Sequence, residues 1–147
     1  MTERTLTLTS QPDAAVLAQL GDNLSAFNAG DVGPSGRQEI AVLMHEADAL
    51  VAGVSGYTAW GWLYVQWLWV AEGQRGQGLA GRMMAAAETE ASGRGCHGAY
   101  IDTFSPTALQ VYQKAGYAIF GTLPDFPPGR TRSWTPAKTG SLSLPSR

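Results

Sequence analysis

Between residues 39 and 70 the chain carries three β-patterned runs in close succession: Ile40-Ala41-Val42-Leu43-Met44, Leu50-Val51-Ala52-Gly53-Val54, and the stretch from Trp62 to Val70. Breaks this short cannot house a crossover helix, so neighbouring runs must pair antiparallel. The pattern around this block is helical. Upstream, residues 5–9 alternate as a short strand would, and Ser10-Gln11-Pro12-Asp13 offers a cap, an early proline and an acidic first turn. Val16, Leu17, Leu20, Leu24 and Phe27 then recur at helical spacing, up to the breakers Gly30 and Gly33. Downstream, residues 78–93 read as a helix with Leu79, Met83, Ala86 and Ala87 inward and Glu88, Glu90 and Arg94 outward. A strand follows over 99–104. Ser105-Pro106 opens another helix, with Ala108, Val111, Tyr112 and Ala115 inward and Gly116 as its stop, before a strand over 117–123.

The order is therefore β-α-β-β-β-α-β-α-β, an α/β chain with a mixed, mostly antiparallel sheet flanked by helices. One domain is expected over 1–134. Arg130 to Trp134 would make a short or absent last strand, because Pro136 halts pairing; that strand would otherwise come from a partner copy in a homodimer. Residues 135–147, rich in Ser, Thr, Pro and Gly, read as a loosely held tail.

Composition narrows the partners. The 147 residues are 44% hydrophobic and 15% charged, enough to bury a core, with 10 basic against 12 acidic residues and a net charge of -2. No basic run could neutralise a row of phosphates or hold an anionic membrane, so neither nucleic acid nor a membrane is expected. With one cysteine, Cys96, and no leader or spanning segment in view, the chain reads as cytoplasmic. Cys96 and His97 are neighbours on opposite sides of a strand, so they make no dyad, and a small buried thiol is the expected reading.

The chemistry gathers at Arg75-Gly76-Gln77-Gly78-Leu79-Ala80, directly after an apolar strand and at the start of a helix. Glycines there let backbone amides approach an anion, and the helix's first free N–H groups and dipole add to the attraction. That much indicates phosphate or pyrophosphate. The run from Gly76 to Gly81 also fits the Gly-x-Gly-x-x-Gly dinucleotide fingerprint, with Asp102 roughly 20 residues on as the ribose-binding acid, so an NAD-binding protein is one alternative.

The same segment resembles the Arg/Gln-x-x-Gly-x-Gly/Ala pyrophosphate motif of the GNAT family of acetyl-CoA-dependent N-acetyltransferases. Ala108-Leu109-Gln110-Val111-Tyr112-Gln113-Lys114-Ala115-Gly116-Tyr117 resembles that family's second marker, and Asp125-Phe126-Pro127-Pro128-Gly129 is similar to a loop of its small bacterial members. The likeness covers residues 40–128. It implies acetyl-CoA as co-substrate, held by backbone groups of Gln74, Arg75, Gly76, Gln77, Gly78, Leu79 and Ala80, with Leu68 and Val70 pairing the pantetheine arm as an added strand. It further implies the Leu68 amide as oxyanion donor, Tyr112 as general acid, and direct attack of an amine on the thioester without a metal. Where many relatives carry a glutamate base this chain has Gln66, whose amide takes no proton at neutral pH. Either another group then acts through water, with Glu72, Asp102 and His45 the candidates by type, or the amine arrives already neutral. A non-catalytic acyl-CoA sensor is the second alternative that Gln66 motivates.

Tyr57, Trp60, Trp62, Trp67 and Trp69 crowd into one stretch. Trp67 and Trp69 share a strand face and read as core; Trp60 and Trp62, at a turn, together with Gln66 and Asp102, are the candidates for the acceptor pocket of a small-molecule or peptide amine.

Overall fold

The computed structural model describes residues 2–138. The chain divides into two compact units, Met1–Ser35 and Gly36–Arg147.

In the first unit, α1 spans Ala14–Val32. Its N-cap is Asp13, whose carboxylate accepts the Ala15 amide at 2.8 Å, and Gly33 ends it with φ of 91°. No residue of α1 is buried, the apolar stripe included. The strand expected over residues 5–9 does not form. An alternating pentamer gains ladder hydrogen bonds only from a neighbouring strand, and the described residues of this unit contain none.

The second unit is built on a six-stranded sheet: β1 (Gln38–Glu46), β2 (Ala49–Ala59), β3 (Trp62–Val70), β4 (Gly98–Thr103), β5 (Gly121–Leu123) and β6 (Arg132–Lys138), in the order β1-β2-β3-β4-β6-β5. Among the described residues only β3 and β4 pair in parallel, joined through α2 (Leu79–Gly93). The helix α3 (Pro106–Lys114) follows β4, its N-cap Ser105 accepting the Ala108 amide at 3.2 Å and Pro106 filling the first turn, as the sequence indicates.

One sheet face is the core. Ile40, Ala52, Val54, Leu63, Val65, Ala99, Ile101 and Ala137 are buried there with Leu79, Met83, Met84, Ala87 and Ala91 of α2 and with Tyr112 of α3. The helical phase of α2 differs from the expected one. Ala86 faces outward, while Glu88, expected outside, is only 1% exposed. Four residues beyond the buried Met84, it falls on the same helix face. Its neighbour is Tyr117, whose phenol is pushed up by burial first and by Glu88 second. In α3 the expected inner face holds at Tyr112, which is buried, and at Ala108 and Ala115, which pack against the core partly buried, while Val111 is exposed.

The final strand corrects the sequence reading most clearly. β6 runs through Pro136 to Lys138, four residues into the expected tail, and lies inside the sheet between β4 and β5, so no partner copy is needed to supply it. Pro136 is tolerated because its backbone faces the β5 side, where the ladder asks it only for a carbonyl, accepting from the Ala118 amide at 3.1 Å. The strand expected over 117–123 is regular only in β5, although Phe120 also donates to the Trp134 carbonyl at 2.7 Å. Residues 139–147 of the expected tail lie outside the described residues.

Candidate active site at the splay between two parallel strands

The site begins with one extra residue. Ser55 on β2 pairs with Trp67, yet the next residue, Gly56, pairs with Val65, so Gln66 is the bulged residue of β3. Gly56 makes this possible: a Cβ there would lie 1.8 Å from the Tyr64 carbonyl oxygen. The bulge shifts the inward–outward alternation by one. Leu68 and Val70 therefore turn to the core, while Trp67 and Trp69, expected inside, are 69% and 48% exposed.

At the same place β3 parts from β4. Their ladder ends at Val65 with Ile101, and beyond it β4 stays with β6 through Thr103 and Ser133 while β3 stays with β2 through Val70 and Ala52. Residues 66–70 thus present one backbone edge that β4 does not cover. The alternation of backbone groups says which residues face it. Ala71 donates to the Val51 carbonyl on the β2 side at 2.8 Å, so Val70 and Leu68 direct their N–H and C=O groups into the opening. The Val70 carbonyl accepts the Arg75 Nε–H at 3.2 Å.

Past Val70 a single 3-10 turn, Glu72–Gln74, brings the chain to the helix. This turn engages the amides of Gln74 and Arg75, which donate to Ala71 and Glu72 carbonyls at 2.9 and 3.3 Å. The Gln74 side chain is tied to Glu46 at 2.9 Å. Gly76 and Gly78 follow in the left-handed region, φ 81° and 74°, which explains glycine at both. Gly78 caps α2, whose first backbone bond back to it comes from Arg82, so the amides of Leu79, Ala80 and Gly81 belong to the open first turn.

On the α3 side stands Tyr112, 5% exposed, with its phenol pushed up to about 12, by burial first and then by the Asp102 carboxylate. Asp102 follows Ile101 on β4 as Gln66 follows Val65 on β3, so the two hold matching positions just past the last β3–β4 pair. The Asp102 carboxylate accepts the Tyr64 hydroxyl at 3.2 Å and pairs with Arg132 of β6 at 3.2 Å. The Arg132 guanidinium lies 4.0 Å from the Phe126 ring centroid and 5.2 Å from that of Phe104. Beside Gln66 on the other side, a cavity of about 340 Å³ is lined by Glu39, Ala41, Ser55, Gly56, Gln66 and Trp67 among others.

The other sequence candidates are spread out. Glu72 starts the 3-10 turn and His45 sits beside the β1–β2 turn; both are exposed. Trp60 occupies that other hairpin, between β2 and β3, with φ of 47°. Trp62 opens β3, edge-on to His97 and Tyr100, and lines an apolar cavity of about 660 Å³ with Tyr100, Phe120, Trp134 and Pro136. Six residues of strand, about 20 Å, separate it from Leu68. The residues grouped from the sequence thus come from two ends of one strand, while Tyr64, Arg132 and Phe104 carry no local signal and Phe126 carries one only through its loop. The alternation of β4 and β6 would have put Asp102 and Arg132 on one face, but their pairing is long-range. Cys96 is buried and burial pushes its thiol up, in keeping with an inert thiol. Among the described residues no His, Cys, Asp and Glu side chains group as a metal site, and no helix is long and apolar enough to cross a membrane.

A model of the acetyltransferase (GNAT) family matches residues 19–117, more than half of the chain. The protein belongs to the GNAT acetyltransferase family. An acetyltransferase of Agrobacterium fabrum is 40% identical over 128 residues, 86% of this chain and 93% of that protein. A blasticidin-S acetyltransferase of Streptomyces morookaense is 41% identical over 87 residues, 58% of this chain and 64% of that one. A crystal structure from Agrobacterium tumefaciens, assigned as an acetyltransferase, matches with a TM-score of 0.87 at 37% identity, covering 92% of this chain and 99% of that chain. As a GNAT acetyltransferase the protein is an enzyme, and the one parallel strand pair among the described residues removes the dinucleotide reading, which needs a doubly wound parallel sheet.

Proposed function

We propose that this enzyme moves the acetyl group of acetyl-CoA to a primary amine, and that the splay between β3 and β4 is where the two substrates meet. The observation that carries the reading is the uncovered edge of β3 leading, within one turn, to an amide-rich helix start. A pantetheine arm has amides spaced to pair with such an edge as an added strand, at Leu68 and Val70, and a pyrophosphate fits the amides of Gly76, Gln77, Gly78, Leu79 and Ala80. Gln74 and Arg75 contribute by shaping the turn, since their own amides are engaged in it. Bound acetyl-CoA supplies a thioester carbonyl, whose developing charge the Leu68 amide receives.

Tyr112 protonates the departing thiolate. A phenol held at about 12 keeps its proton throughout the physiological range, as a general acid must. The amine enters from the outer sheet face, where Gln66 and Asp102 flank the apex. The relative named for blasticidin S supports a small-molecule acceptor in the same class. The test is thiol release from acetyl-CoA in the presence of an amine panel that includes blasticidin S and small peptides. Amine-dependent release that Tyr112→Phe abolishes supports the reading; acetyl-CoA binding without release for any amine overturns it.

A further inference from the structure

Gln66 leaves the amine's proton without a taker on β3, and we propose that Asp102 takes it from the opposite strand. This rests on the acetyl-transfer reading above. Asp102 is the first residue of β4 past the last β3–β4 pair, as Gln66 is on β3, so the two positions flank the start of the same opening. The carboxylate is held rather than loose. Tyr64 hydroxyl occupies Oδ1 and Arg132 Nη1 occupies Oδ2, both at 3.2 Å, and each oxygen retains a second lone-pair direction for an ammonium proton. Its side chain is 15% exposed, open enough for an acceptor and screened enough to stay in place. Arg132 is in turn fixed against Phe126 and Phe104, which makes it a positioning residue. The titratable groups facing Asp102 are Tyr64 on β3, Tyr100 on β4, Arg132 on β6 and Tyr112 on α3.

The proton balance closes. The ammonium gives one proton to Asp102, the free amine's lone pair forms the bond to the thioester carbon, and the carbon–sulfur bond breaks to a thiolate that Tyr112 protonates. The amide nitrogen sheds its second proton to water, and Asp102 and Tyr112 return to their starting states by exchange with solvent.

The experiment is the pH dependence of kcat/KM for one acetylated amine from pH 6 to 10, in the wild type, Asp102→Asn, Asp102→Glu, and Asp102→Asn combined with Gln66→Glu. The expected loss in Asp102→Asn is about a hundredfold at pH 7, shrinking as pH rises and free amine accumulates, with KM for acetyl-CoA unchanged. Asp102→Glu keeps the wild-type profile, and Gln66→Glu restores at least tenfold of the loss by returning a carboxylate to the apex. A loss in Asp102→Asn that is equal at every pH, or no loss, overturns the proposal, as does a profile of Asp102→Glu that matches Asp102→Asn. If instead the wild type releases no thiol with any amine, it is the acetyl-transfer reading that fails.

Discussion

Gly56→Ala should damage the fold and the site together, because it acts on the bulge that sets the phase of β3. The added methyl would lie 1.8 Å from the Tyr64 carbonyl oxygen and 2.9 Å from its carbon, both backbone atoms that no rotamer change can move. Restoring ordinary contact parts the strands by about 1.5 Å at a ladder spacing of about 4.8 Å, which breaks the local hydrogen bonds. Overpacking of this kind costs about 1–3 kcal/mol, and each lost ladder bond adds about 1 kcal/mol. A total of about 3 kcal/mol lowers Tm by about 6–12 °C for a chain of this size. Gly53→Ala, on the same strand, is the control. Its methyl meets the end of the Leu43 side chain at 3.0 Å, and that side chain can turn aside, so the cost stays below about 1 kcal/mol. Differential scanning calorimetry of both variants, with acetyl-CoA titrations beside it, reads the contrast. Equal Tm values for the two variants would refute the claim that the bulge at Gln66 depends on the missing side chain of Gly56.

Other consequences are more local. Tyr112→Phe should lower kcat by about a hundredfold or more while KM for acetyl-CoA holds within about twofold, measured by steady-state thiol release. Stability should fall in alkali: burial raises the phenols of Tyr64, Tyr100, Tyr112 and Tyr117, so their contribution is complete below pH 10 and is lost as pH climbs through the folded values, about 12 for Tyr100 and Tyr112. Urea midpoints at pH 8 and 11 check the sign, an unchanged midpoint counting against it. Leu63→Ala, at a fully buried position, should cost about 2–5 kcal/mol and Trp67→Ala less than about 0.5 kcal/mol, the reverse of what size alone suggests.

Much of the framework was legible because its signals are local. The antiparallel block followed from short connections, α3 from Ser105 and Pro106, and the opening of α2 from glycines that need positive φ. Each miss has a tertiary cause. Residues 5–9 alternate like a strand, but alternation records a preference for a pleated surface and cannot supply a neighbour. Pro136 reads as a stop because its missing N–H is local, whereas the side of the sheet that N–H would face is not. Trp67 and Trp69 were assigned inward by a period of two that one bulged residue inverts, and the glycine responsible sits on the other strand. For the site, the motif identified the helix start, while the Tyr64, Asp102 and Arg132 cluster joins three strands whose order no single segment encodes.

The central claim is that the uncovered edge of β3 and the start of α2 hold acetyl-CoA with its thioester at the apex between Gln66 and Asp102. A crystal structure of the protein with acetyl-CoA tests it most directly. The account predicts the pyrophosphate on the amides of residues 76–80, the pantetheine arm paired with Leu68 and Val70, Arg75 withdrawn from the Val70 carbonyl, and the sulfur within hydrogen-bond reach of the Tyr112 hydroxyl. Acetyl-CoA seated elsewhere, or a thioester remote from Tyr112 and Asp102, would contradict it.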